Sequence, residues 1–104
     1  MEPTRRKSCP VARTIDLIGE RWTILILRDL LTEGPRRFQD LRNALDGIGP
    51  TTLSARLKSL ESKGMVERRL YSDHPPRAEY LLTEKGQSLG PVLAALRDWG
   101  RANT

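Results

Sequence analysis

The chain has one cysteine, Cys9, and one histidine, His74. A single cysteine excludes an internal disulfide framework. No group of His and Cys has metal-ligand spacing, so neither a metal nor another cofactor is expected. His74 lies far along the chain from Cys9, no glycine-rich phosphate loop is present, and the acidic residues are scattered as single charges. An enzyme is therefore not expected. The aliphatic run Ile24-Leu25-Ile26-Leu27 ends at Arg28, far short of the ~20 residues of a membrane span. No apolar segment follows the basic start Met1 to Lys7, so no signal peptide and a cytoplasmic location are expected. A chain of 104 residues suffices for one domain with a modest core.

What is abundant is positive charge. Eighteen Lys and Arg against 13 Asp and Glu leave a net +5, and Arg supplies 14 of the cations. Arg offers a planar fork of donors suited to phosphate. A small basic domain suggests a polyanionic partner, nucleic acid first and an anionic membrane surface second. The patterning along the chain has to decide between them.

Residues 1–8, with Arg5, Arg6 and Lys7, lack apolar periodicity and are expected to form a disordered basic arm, followed by one domain over 9–103. Pro10 suits the first turn of a helix, with Val11, Ile15 and Ile18 on one face and Gly19 as its stop. A second helix is expected from about Glu20 to Leu31, with Trp22, Leu25, Ile26 and Leu30 on a broad apolar face. Phe38, Leu41 and Leu45 mark a third, broken by Asp46-Gly47. Gly49-Pro50 opens a fourth, from Pro50 to Lys63, stopped by Gly64. The period then changes. Val66 to Tyr71 and Arg77 to Leu82 read as strands joined by a stiff loop, Ser72 to Pro76. Thr83 caps one last helix. Four helices, a hairpin and a helix, with a tight turn between the third and fourth, make a mainly helical α+β winged helix-turn-helix.

On the fourth helix Leu53, Leu57 and Leu60 must face the core. At ~100° per residue the opposite face carries Thr51, Ala55, Lys58 and Ser62, flanked by Thr52, Arg56 and Ser59. Small, hydroxyl-bearing and cationic side chains let a helix enter a major groove, and Thr or Ala methyls can meet a thymine methyl. A solvated helix face would look similar, but no acidic residue occurs from Thr51 to Leu60, which favours DNA. Arg36, Arg37 and Arg42 bracket the third helix. Arg68, Arg69, His74 and Arg77 lie on the hairpin, whose tip can enter a minor groove. Cys9 stands at a helix start beside three cations; both the helix dipole and the cations favour its thiolate, though a lone Cys is more often a small buried hydrophobe. The last helix is apolar over a wide stripe. Leu89, Leu93 and Leu96 can cover the core, leaving Val92, Trp99 and Leu82 for a partner. A two-fold dimer would explain the surplus.

Several motifs together resemble the HxlR-type transcriptional regulators, relatives of the MarR repressors. Cys9-Pro10, Asp16 to Gly19 and Arg21-Trp22 are similar to the family's opening. Phe38 to Arg42 and Leu53 to Gly64 are similar to its helix-turn-helix. Pro75-Pro76-Arg77, Glu79-Tyr80 and Leu82 to Gly86 resemble its wing and the start of its last helix, and Pro91 and Trp99-Gly100 complete the match over about residues 9–100. Gly49 departs from the Ser common at that position, which removes a hydroxyl. The resemblance implies a homodimeric repressor on a palindromic double-stranded DNA operator, with N- and C-terminal dimerisation helices. Val11, Ile15, Leu89, Val92, Leu96 and Trp99 are then the expected interface. It also implies that Cys9 senses thiol oxidants or electrophiles. The alternatives are a regulator that answers a small ligand without redox sensing, and a winged helix used for protein–protein contact. No membrane partner is expected.

Overall fold

A computed structural model describes residues 9–104, so the basic arm assigned to residues 1–8 lies outside the described residues. Helix α1 (Pro10–Ile18) begins at Pro10, whose missing N–H is no loss in a first turn;. Helix α2 (Arg21–Glu33) is the central element. Ile26, Leu27 and Leu30 are buried on it, with Trp22, Ile24 and Leu25 packed around the same core. Helix α3 (Phe38–Ala44) places Leu41 inside. A turn buries Leu45 and Ile48, then Gly49-Pro50 starts helix α4 (Pro50–Ser62). Leu53, Leu57 and Leu60 of α4 are all fully buried, as the helical period requires.

Gly64 has a φ of +74°, a conformation that costs glycine little and other residues more. It reverses the chain out of α4, and Met65 N–H donates to the Leu60 carbonyl at 3.0 Å. Strand β1 (Val66–Asp73) then pairs antiparallel with β2 (Pro76–Leu82), Val66 opposite Leu82 and Arg69 opposite Glu79. The ribbon's base is fastened by Thr83 N–H to the Met65 carbonyl at 3.1 Å and Thr83 Oγ1 to the Gly64 carbonyl at 2.6 Å. Gly86 packs so closely there that a Cβ would overlap the Met65 carbonyl oxygen. Arg36 adds a third, one-residue strand. Its N–H donates to the Tyr80 carbonyl at 2.9 Å, and Tyr80 N–H returns a bond at 2.7 Å.

Three expectations need correction. The ribbon is longer than expected, because pairing continues through Ser72–Arg77 and Asp73–Pro76 and only His74 and Pro75 form the turn. A hairpin end tolerates the N–H that Pro76 lacks. A register shift between Leu70 and Ser72 leaves Tyr71 as a bulge. The last helix is two helices, α5 (Glu84–Gln87) and α6 (Gly90–Asn103). Pro91 has no N–H for the Gln87 carbonyl, and Leu89 N–H instead bonds three residues back, to Gly86. Finally, Leu82 is buried in the core, and Leu89 packs against the same core. Leu82 is therefore not free for a partner, whereas Leu89 is half-buried at the core's edge.

Glu20 ties this frame together at the start of α2. Its Oε2 accepts from Thr23 N–H at 2.9 Å and from Thr23 Oγ1 at 3.1 Å. Burial pushes its carboxyl up, but the backbone N–H groups of Thr23 and Trp22, the Thr23 hydroxyl and the Arg56 charge outweigh that and hold it below 4.5. A depressed folded value stabilises the fold fully above the unfolded pKa, and the benefit is lost as pH falls through the folded value. Glu20→Gln should therefore cost about 0.5–1 kcal/mol at pH 7, the range of a weakened N-cap. Urea unfolding of both proteins as pH falls through the acid range should show the gap closing below about pH 4.

Candidate nucleic-acid interface

Burial of the three leucines leaves the far side of α4 to solvent. Thr51, Ala55, Lys58 and Ser62 are exposed there, while Thr52, Ser54, Arg56 and Ser59 are half-buried along its edges. Pro50, Thr51, Ser54, Ala55 and Lys58 line a shallow hollow in this face. Small side chains create that hollow, and only Lys58 projects a full charge from it. No acidic residue interrupts the face.

The arginines divide into two groups. Arg36 turns inward: its Nε donates to Asp29 Oδ2 at 3.1 Å, with the Asp29 side chain only 9% exposed. Because Arg36 also pairs with Tyr80 through its backbone, the ion pair locks the wing's base to α2. Arg37 caps α3. Asp40 accepts the Arg37 N–H at 3.0 Å, and the guanidinium returns two bonds to the same carboxylate at 3.1 and 3.2 Å. Those bonds hold the Asp40 carboxyl below its ordinary value; they, together with the Tyr71 hydroxyl, raise Arg37. Arg56 lies 3.2 Å from Glu20 Oε2 but is not aligned for a hydrogen bond. It is a flank contact to the start of α2. Arg69 meets Glu79 across the ribbon at 2.8 Å, the directly opposed pairing that favours unlike charges.

Five other basic side chains of this surface have no ion-pair partner among the described residues: Lys58 on α4, Arg42 on α3, and Arg68, His74 and Arg77 on the wing. All are exposed. The fold thus brings the expected groups to the helix-turn-helix and its wing, but four of the seven arginines expected there already hold a carboxylate. The sequence reading overlooked Tyr71, which the bulge places beside Arg37, and Asp29, the buried partner of Arg36. Only the three-dimensional fold brings either pair together.

Cys9 is the N-cap of α1, half-exposed, and makes no side-chain capping bond. Of the apolar residues assigned to a partner, Val11 and Ile15 on α1 and Val92, Leu96 and Trp99 on α6 are exposed, Trp99 at 65%. No described helix is long and apolar enough to cross a membrane, and no described group of acidic, His and Cys side chains could hold a metal ion.

The HxlR-like helix-turn-helix family matches residues 17–104. An uncharacterised HTH-type transcriptional regulator of Synechocystis sp. is 42% identical over 92 residues, covering 88% of this chain and 67% of the relative. Among solved structures, the redox regulator HypR in its reduced form superposes with a TM-score of 0.85 at 35% identity, covering 91% of this chain and 93% of HypR. The reduced form of the regulator YodB from Bacillus subtilis gives a TM-score of 0.75 at 36% identity, with 88% and 89% covered. These relatives are named as regulators, the first of them as an HTH-type transcriptional regulator. With its helix-turn-helix, wing and acid-free α4 face, the chain belongs to the HxlR-like helix-turn-helix family of transcriptional regulators.

Proposed function

We propose that residues 9–103 act as a homodimeric repressor that binds a palindromic operator in double-stranded DNA, with Cys9 as its sensor of thiol oxidants or electrophiles. The observation that carries the DNA reading is the exposed α4 face of Thr51, Ala55, Lys58 and Ser62, flanked by the unpaired cations of α3 and the wing. Lys58, Arg42 and Arg77 supply phosphate or minor-groove charge, while Thr51, Thr52, Ala55 and Ser59 face base edges. Arg36, Arg37, Arg56 and Arg69 serve first to hold the scaffold.

Two copies reading a palindrome need a self-complementary contact. The exposed Val11, Ile15, Val92, Leu96 and Trp99 supply the apolar surface for one;. Cys9 heads the helix that carries Val11 and Ile15. Oxidation to a mixed disulfide, or to a disulfide with a second copy, removes two electrons and two thiol protons and adds bulk or a crosslink at that contact. HypR is a redox regulator with reduced and oxidised forms, and YodB has a diamide-treated form; this supports the sensing role by analogy.

Operator binding should show a log K against log salt slope near −7, as about eight phosphate contacts would give. Lys58→Ala and Arg77→Ala should weaken binding to all sequences about equally, whereas enlarging Ala55 should change which bases are preferred. Arg36→Ala should act instead through stability, on the order of 2 kcal/mol, because Asp29 loses its partner. Diamide should lower operator affinity about tenfold, within the usual range of allosteric coupling, and dithiothreitol should restore it. An identical response in Cys9→Ser would remove Cys9 from the sensing role.

A further inference from the structure

Away from the DNA face, α2 and α6 enclose a groove of about 520 Å³, within the size range of small-molecule sites. Ile24, Leu31 and Leu96 are among its apolar lining, and Arg28, Arg97 and Arg101 among its polar lining. The groove is left open partly because Gly90 brings no side chain to it: a Cβ there would only just reach Leu31, at 3.9 Å. No acidic residue lines it.

The three arginines are the unexpected part. Arg97 and Arg101 stand four apart on α6, a spacing at which like charges repel. Arg101 lies in the last turn, where the helix dipole favours a cation;. Arg28, in the middle of α2, has no such reason to be there. Arg97 bonds only the neighbouring Asp98, at 3.0 Å. Arg28 and Arg101 have no ion-pair partner among the described residues. An apolar trough edged by two uncompensated guanidinium groups, those of Arg28 and Arg101, fits a ligand with the opposite distribution: an apolar body and an anionic head. A self-pairing protein surface would instead bring six arginines together.

We infer that the α2–α6 groove binds an amphipathic organic anion, its apolar body against Ile24 and Leu31 and its acidic group held by Arg28 and Arg101. This site is distinct from Cys9 and from the DNA face, so its failure would leave operator binding untouched. The probe is 8-anilinonaphthalene-1-sulfonate, compared with the neutral N-phenyl-1-naphthylamine, by fluorescence titration of the full chain. The sulfonate should saturate at one site per chain and bind about tenfold tighter than the neutral probe, as charge-assisted bonds to arginine would provide. Arg28→Gln with Arg101→Gln should remove that advantage while operator binding persists. Equal affinity for the two probes in the parent protein, which needs no variant to fold, overturns the inference. So does an unchanged sulfonate affinity in the double variant. A groove that takes the probe only after Trp99→Glu, outside the groove lining, has dissociated the copies also overturns it, because the surface then belongs to the contact between chains.

Discussion

Everything on the DNA side depends on three leucines. Leu53, Leu57 and Leu60 are fully buried, and each contributes about 1.5–3 kcal/mol by leaving water. Their larger consequence is geometric. A helix whose apolar stripe is fixed has no freedom to roll, so Thr51, Ala55, Lys58 and Ser62 are directed outward by the leucines, and the Ser62 hydroxyl bonds only within the helix, to the Ser59 carbonyl at 2.8 Å. The core they enter is shared with Ile26, Leu27 and Leu30 of α2, and the Glu20–Arg56 approach sits at the margin of the same packing. The face is cheap to vary, because its residues do not hold it in place.

The same separation explains what the sequence disclosed. Helical period and glycine or proline stops located α1 to α4 to within a residue or two. They also placed the exposed face of α4, since both depend on neighbours a few positions away. Long-range partners were not legible. Arg36 looks like any surface arginine until the fold sets it against Asp29, and Arg69 becomes a cross-strand partner only once the register with Glu79 is known. The break before α6 was missed for a different reason. Its apolar stripe continues across Leu89, so periodicity alone cannot show that Pro91 leaves the Gln87 carbonyl without its donor. In the wing, the two prolines suggested a wide loop. The ribbon's open end imposes no such demand, and pairing runs on to Pro76.

Charge is distributed by the same logic. Among the paired arginines, Arg36 and Arg56 tie the wing's base and α4 to α2 and its start, Arg37 caps α3, and Arg69 bridges the two strands of the wing. Lys58, Arg42, Arg68 and Arg77, without ion-pair partners among the described residues, stand on the side that the proposed function turns to phosphate, whereas Arg28 and Arg101 line the α2–α6 groove. Net charge alone would have counted both groups as DNA contacts, yet only the second keeps its full field for a polyanion.

The wing's anchoring carries a thermodynamic consequence. Beyond the Arg36–Tyr80 bridge the ribbon is two strands with Leu70, Tyr71 and Arg77 exposed, and a two-stranded hairpin is at best marginally stable alone. It is a cantilever, clamped at Thr83 and Tyr80 and unsupported at its tip. Gripping a groove must therefore quench the tip's motion, and that entropy is subtracted from the contact energy. Pro75 and Pro76, with their restricted φ, leave the free tip fewer conformations to surrender. Part of the affinity that the proposed function gives the wing would thus be set before any DNA arrives, by two residues that need touch neither base nor phosphate.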